Sequence, residues 1–253
     1  MCITSAESAC IIETNPATLS MSLSKLFPLG ALVAELREPG DPAALAPEEA
    51  LCLKGAVQKR IQEFAAGRAC AHRLLDKLGI TDFPIKVADD RQPLWPATVV
   101  GSITHTSGFC AAVVAEKEFL SAVGIDSEIA DSVKPHLWRA ICTPSETAWL
   151  RSLPDAEQAA AATLIFSAKE AFYKCQYALV HERLNFHDAT VEPAWGAARG
   201  VFRIHANRSV ALASHAALPL EGQYLFHEEF VSTGIALPGS RSAVSMPCRR
   251  ETL

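Results

Sequence analysis

Apolar residues along the chain follow two periods, one of three to four residues and one of two, and each switch between them marks an element. Val57, Ile61, Phe64, Arg68, Ala71, Leu75 and Leu78 recur at helical spacing, and all but Arg68 are apolar. They predict a long helix from about Pro47 to Leu78, stopped by Gly79. A second stripe, Ile165, Ala168, Phe172, Cys175 and Leu179, predicts a helix over about 156–180, with Asp155 as N-cap and Gln158 closing a capping box. Strand-like runs surround both helices. "GALVAELR" (30–37) precedes the first, and "FPIKVA", "ATVVGSIT" and "FCAAVVAE" follow it, the last two joined by a turn at Thr106-Ser107-Gly108. "SAVGIDSE" (121–128) opens the second half, and a loop with Pro135, Pro144 and Pro154 leads to its helix. "DATVEP", "GVFRIHA", "GQYLFHE" and "FVSTGIAL" come after.

Each half thus reads strand, helix, several strands, although no residue-level repeat joins them. That order implies a mixed α and β class with hairpin-linked sheets in two similar lobes. The expected division is a polar leader at 1–28, an N-terminal lobe at 29–118, a C-terminal lobe at 119–238 and a tail at 239–253.

Composition narrows the function classes. With 253 residues, 49% of them hydrophobic, the chain suffices for one large domain or two modest ones with real cores. A net charge of −5 gives no footprint for wholesale nucleic-acid binding, so an anionic ligand must be met by a few placed Lys and Arg residues. No apolar run reaches the roughly 18 residues of a membrane span, and the N-terminus lacks the basic and apolar regions of a signal peptide. The cytoplasm is the expected compartment. The eight cysteines form no CxxC pair and read as reduced thiols serving as small core residues.

The chemistry-bearing residues each admit a plain reading and a functional one. Asp126 and Glu128 lie two apart in a strand-like run, so alternation sends both carboxylates to one face and Ile125 and Ser127 to the other. Side by side they resist joint ionisation, which a hard divalent cation such as Mg²⁺ relieves; a strand end entering solvent relieves it too. Glu170 and Lys174 form an i,i+4 pair off the apolar stripe, either a surface pair or part of a site. Arg68 occupies a core-facing position and needs an anion, supplied by a protein carboxylate or by a bound phosphate, unless its side chain snorkels to water. Gly67 beside it permits close approach, and Arg60 stands two turns back. "GSITHT" (101–106) ends a strand in hydroxyls and His105, suited to phosphate oxygens or simply to a strand end.

In this order, "EFAAGRACA", "RQPLWP", "GSITHT", "VGIDSE" and "FSAKEAFYK" make the sequence resemble the 4′-phosphopantetheinyl transferases. The likeness is to the larger bacterial type that activates siderophore, peptide and polyketide synthetases, and it covers about residues 55–185. Thr104 and Thr106 stand where the family often has serines, and Ala171 where serine is common.

The resemblance implies that family's α+β fold: two pseudo-symmetric lobes, each a long helix on a small, largely antiparallel sheet, with the site between them. It implies transfer of 4′-phosphopantetheine from coenzyme A to a serine of an apo acyl or peptidyl carrier protein, releasing 3′,5′-ADP. Asp126, Glu128 and Glu170 would hold Mg²⁺ on the coenzyme A pyrophosphate. Glu170 would also take the serine proton, directly or through a water, and Lys174 would neutralise or protonate the leaving phosphate. Arg60, Arg68, Thr104 and His105 would bind coenzyme A, with Arg91, Gln92 and Pro93 flanking adenine. Lys169 would meet the nucleotide phosphates or brace the acidic cluster. One chain would supply both halves of the site, so a monomer is expected. In 129–154, Trp138, Trp149 and Leu150 read either as carrier-protein surface or as packing. Two other functions fit the same residues: a Mg²⁺-dependent phosphatase or nucleotidyl transferase, and a non-catalytic module binding coenzyme A or a carrier protein.

Overall fold

The structure, a computed structural model, describes residues 22–241. The expected leader before Ser22, the tail after Arg241, and Cys2, Cys10 and Cys248 lie outside the described residues. Eight strands are described: β1 (Leu32–Leu36), β2 (Val99–Thr106), β3 (Phe109–Glu116), β4 (Leu120–Ile129), β5 (Ala189–Pro193), β6 (Arg199–Ala206), β7 (Leu220–His227) and β8 (Phe230–Pro238). The helices are α1 (Pro47–Ala50), α2 (Gln58–Lys77), α3 (Trp138–Ile141), α4 (Pro144–Ser152) and α5 (Asp155–Val180). All strand pairs are antiparallel, in two sheets ordered β1-β3-β2 and β4-β8-β7-β6-β5.

Strand β3 explains how the layers stack. Its run of apolar residues is buried on both faces, as an inner strand requires. Cys110, Ala112 and Val114 pack with Ala66, Cys70, Ala71 and Leu74 of α2. Phe109, Ala111, Val113 and Ala115 turn to a core shared with Val123 and Ile125 of β4, Leu225 of β7 and Phe230 of β8. A third core lies between α5 and the larger sheet, built on Ile165, Ala168, Phe172 and Cys175 of the predicted stripe. The result is the expected α+β fold, a long helix on a small antiparallel sheet, twice.

Several local expectations change. The helix expected from Pro47 is broken: α1 gives way to a 3₁₀ turn at Leu51–Leu53, and Gly55 takes φ +81° before α2 starts. Val57 is the N-cap of α2 and is 72% exposed, so the apolar seam begins a turn later than its spacing suggested. "FPIKVA" forms no named strand, only an isolated bridge between Val87 and Pro93. Pro154, not Asp155, is the N-cap of α5; Gln158 Nε2 donates to Asp155 Oδ1 at 3.1 Å and to Leu153 O at 3.0 Å. The described end of the leader is not polar chain, for Leu23, Leu26 and Phe27 are buried in the shared core.

The stretch 129–154 holds α3 and α4 rather than an open loop, and Trp138 and Leu150 are buried in the α5 core with Trp149 packed against it. Packing therefore accounts for all three, and the carrier-surface reading of them is set aside. The five described cysteines are free, four of them buried and Cys52 exposed. Among the described residues no helix is long and apolar enough to cross a membrane.

Candidate active site

The centre of the site is the contact between β4 and α5, and a glycine permits it. A Cβ on Gly124 would stand 2.0 Å from the Ala171 carbonyl oxygen, so the helix backbone rests directly on the strand. Alternation along β4 then decides the rest. Val123 and Ile125 enter the shared core, while Asp126 faces α5, two residues on from where the helix touches down. Lys174 Nζ donates to Asp126 Oδ1 at 2.7 Å and to Ile125 O at 3.0 Å. Ser127 points the other way, its Oγ 2.7 Å from Ser232 Oγ.

Strand β2 meets β4 through side chains. Ser102 Oγ accepts from Ile125 N at 3.2 Å, and Thr104 Oγ1 accepts from Ser127 N at 2.9 Å while donating to Asp126 Oδ1 at 3.3 Å. The two hydroxyls satisfy β4 amides that would otherwise be buried unpaired. This corrects the expectation for Thr104. It is 2% exposed and does not line the cleft; its hydroxyl orients Asp126 instead of meeting a ligand.

The carboxylates here are under electrostatic stress. Asp126 is 4% exposed, and its Oδ2 is buried with no hydrogen-bond partner, a costly state for an oxygen of a charged group. Burial, then the charges of Asp126 and Glu170, push the Glu128 carboxyl up to about 7 against the opposing pull of Lys174. Burial and Asp126 likewise raise Glu170 above the usual carboxylate range. As they stand, no three His, Cys, Asp or Glu side chains among the described residues are gathered to hold a metal ion. An orphaned carboxylate oxygen and mutually repelling all-oxygen donors nevertheless fit a hard divalent cation, Mg²⁺ among them.

A cleft of about 570 Å³ opens beside these residues. From the first half it is lined by Arg60, Arg68, Arg91, Gln92, Pro93 and His105, and from α5 by Glu170 and Lys174. Sequence positions more than a hundred residues apart therefore share one wall-to-wall space. Arg60 Nη1 contacts His105 Nε2, and Glu63 Oε2 lies 3.8 Å from His105 Nδ1 and 3.9 Å from Arg60 Nη1. Burial first, then Arg60, holds His105 below its ordinary pKa, so the imidazole is neutral at pH 7 and the arginines carry the positive charge. Arg91 takes a left-handed backbone, φ 72°, at the tip of the loop closed by the Val87–Pro93 bridge.

Lys169 also departs from expectation. It is 3% exposed and uses all three ammonium protons inside the protein, on Glu146 Oε2 (2.7 Å), Ile141 O (2.9 Å) and Phe186 O (2.7 Å). No donor is left for a nucleotide phosphate, so Lys169 is a buried brace for the segments around α5. Its partner Glu146 is equally buried and also accepts from Thr143 N and Val191 N, each at 2.6 Å. A second cavity, about 560 Å³, lies on this side of α5, with Glu170 on the wall of both spaces.

Some cleft residues escaped the sequence reading. Tyr173 and Tyr177 stack at 5.2 Å between ring centres, and Tyr177 Oη donates to Asp90 Oδ2 at 3.2 Å, tying α5 to the Arg91 loop. Their spacing at three and seven residues from Glu170 was a visible helical-face signal. Glu63 also lines the cleft, with nothing in its local pattern to show it, as do Ser102 and Trp95, which lie within the quoted motifs but were given no role of their own.

Comparison with known proteins agrees with this geometry. The family profile of the 4′-phosphopantetheinyl transferase N-terminal domain matches residues 47–115, and that of the 4′-phosphopantetheinyl transferase superfamily matches 122–226. The chain is 39% identical over 154 residues to 4′-phosphopantetheinyl transferase PptT of Mycobacterium tuberculosis, covering 60% of this chain and 67% of that protein. It is 38% identical over 165 residues to 4′-phosphopantetheinyl transferase Svp of Streptomyces mobaraensis, covering 62% and 66%. With 4′-phosphopantetheinyl transferase Npt of Nocardia iowensis, 34% identity runs over 222 residues, 85% of this chain and 99% of that protein. Two adjoining domain matches and a relative aligned along nearly its whole length place the chain in the 4′-phosphopantetheinyl transferase family, among its larger, two-lobed transferases.

Proposed function

We propose that the protein transfers the 4′-phosphopantetheine group of coenzyme A to a serine hydroxyl of an apo acyl or peptidyl carrier protein, releasing 3′,5′-ADP. One observation carries this reading. A single cleft is lined by Arg60, Arg68, Arg91 and His105 together with Glu170 and Lys174; Lys174 bonds to Asp126 behind it, and the charges of Asp126 and Glu170 act on Glu128. The cationic groups suit the phosphates of a nucleotide, and the carboxylates suit a metal and a base. Relatives named as 4′-phosphopantetheinyl transferases, and others named as enterobactin synthase component D, support the same substrate class.

Asp126, Glu128 and Glu170 would hold Mg²⁺, whose charge would make the pyrophosphate a better electrophile and leaving group. The chain's own residues do the rest. Arg68 and Arg60 bind phosphates, the Arg91–Pro93 loop flanks the adenine, and Lys174 meets the phosphate that departs. Glu170 accepts the serine proton, directly or through a water, and its raised pKa brings it toward the range of an effective base. The serine oxygen bonds to the β-phosphorus as the bridging P–O bond to the α-phosphate breaks, and both electrons leave with ADP. Such a transfer depends mainly on positioning and charge neutralisation. We read the enzyme as a cytoplasmic monomer in which one chain supplies both halves of the site.

The test is to incubate the protein with coenzyme A, Mg²⁺ and an apo carrier protein and weigh the carrier. A gain of one phosphopantetheine supports the transferase. Release of inorganic phosphate would support a phosphatase, and no change in either a binding module.

A further inference from the structure

Arg68 projects from the middle of α2 into the cleft wall and is 5% exposed. Its guanidinium carbon lies 4.2 Å from the centre of the Phe64 ring, and its Nε is buried with no hydrogen-bond partner. The one carboxylate within 4 Å among the described residues is Glu49, whose Oε1 stands 3.8 Å from that Nε. That separation is an ion pair without a hydrogen bond.

Glu49 is itself fully buried and immobilised from several sides. Its Oε1 accepts from Ile85 N at 2.8 Å and pairs with His72 Nε2 at 2.8 Å, and its Oε2 accepts from Ala46 N at 3.1 Å. These partners come from three parts of the first half, the start of α1, the body of α2 and the segment before β2. The same hydrogen bonds hold its carboxyl below the usual range in spite of burial, so it is ionised at neutral pH. An arginine buried beside it gains a countercharge that no other described carboxylate supplies at that range.

We infer that Glu49 is a positioning residue for ligand binding: it holds the charged Arg68 guanidinium oriented on the cleft wall without occupying its hydrogen-bonding edge. A direct, forked Arg–carboxylate pair would close that edge to a ligand. Glu49 is prevented from closing it because its own oxygens are committed to Ile85, His72 and Ala46. Phe64 covers the guanidinium from one face, which leaves the edge for a bound anion. Glu49 also anchors the short stretch after α1 that supplies Cys52, Leu53 and Ala56 to the cleft. The inference rests on the transferase reading only in naming that anion as a phosphate of coenzyme A.

A double-mutant cycle tests it. Glu49→Gln keeps the shape and an acceptor but removes the charge, and Arg68→Ala removes the group it is proposed to act through. Glu49→Gln should raise the KM for coenzyme A about tenfold with kcat within about threefold of wild type, and in the Arg68→Ala background its effect should shrink below about twofold. Loss of a negative charge near the cleft would by itself tighten anion binding, so a rise in KM reports orientation rather than net charge. An equal KM effect in both backgrounds, or an unchanged or lower KM, overturns the proposal. Should Glu49→Gln not fold, Glu49→Asp withdraws the carboxylate by one methylene and should raise the KM severalfold; a folded Glu49→Asp with wild-type KM overturns it as well. Calorimetric binding of coenzyme A to the unmodified protein separates the two levels. No binding there defeats the transferase reading, whereas binding without coupling between Glu49 and Arg68 defeats only this inference.

Discussion

Lys174 Nζ lies 2.7 Å from Asp126 Oδ1 and 3.0 Å from the Ile125 carbonyl, so one ammonium joins α5 to β4 at the carboxylate the site is built around. Asp126 is left with a satisfied Oδ1 and an orphaned Oδ2. A carboxylate half satisfied by a lysine and half free is poised to accept a second cation. That asymmetry follows from Gly124, because no other residue would let the helix approach the strand so closely.

Asp126→Asn should keep the packing, since Asn retains an oxygen for Lys174 and Thr104, but it removes the charge. Mg²⁺-dependent transfer should fall by on the order of 10²-fold or more, with a melting temperature within a few degrees of wild type. The check is turnover across a Mg²⁺ titration. Near-normal turnover at saturating Mg²⁺ would exclude Asp126 as a required ligand.

Glu128 makes the protein pH-sensitive in a stated direction. Its folded pKa, about 7, lies above the unfolded carboxylate value, so protonation favours the folded state. Its contribution is complete in acid and is lost as pH rises through about 7, so without metal the melting temperature should decline between about pH 5 and 8. Glu128→Gln should flatten that decline, and Mg²⁺ should offset it at high pH while binding more weakly below pH 7. Thermal melts with and without Mg²⁺ read both effects. A melting profile that Glu128→Gln leaves unchanged would count against this assignment.

Lys169→Met separates bracing from binding. It leaves Glu146 buried without its counterion, a change worth about 3–5 kcal/mol of stability. The variant should melt much lower yet, below its transition, keep a coenzyme A KM within about twofold, because no Lys169 donor reaches the nucleotide. A stable variant with a greatly raised KM would return Lys169 to ligand binding.

How much of this was legible in sequence depends on the range of the interaction. The alternation of Ile125, Asp126, Ser127 and Glu128 and the stripe on α5 are local patterns, and they placed the carboxylates and the core face correctly. The grouping of Arg60, Arg68, Arg91 and His105 with Glu170 was legible only through family resemblance, since no spacing encodes a contact between halves. Lys169 and Thr104 were misread for a related reason. Their partners Glu146 and Ser127 satisfy them inside the fold, and a charged or hydroxyl residue beside a motif carries no mark of where its hydrogen bonds go. The break at Gly55 lies before Val57, the first residue of the apolar seam, so no periodicity supported carrying that helix back to Pro47.

Glu170 bears the central claim, because the account gives it both a metal and a proton. Glu170→Gln retains the shape, the helix propensity and one oxygen for the metal, but cannot accept the serine proton. The most direct measurement is single-turnover transfer to an apo carrier protein, followed by carrier mass, for wild type and Glu170→Gln at saturating Mg²⁺ and coenzyme A. The account predicts a phosphopantetheine added rapidly by wild type and about 10²–10⁴-fold more slowly by Glu170→Gln, with part of the loss recovered as pH rises. A Glu170→Gln rate within about tenfold of wild type, outside that range for a positioned base, would contradict it.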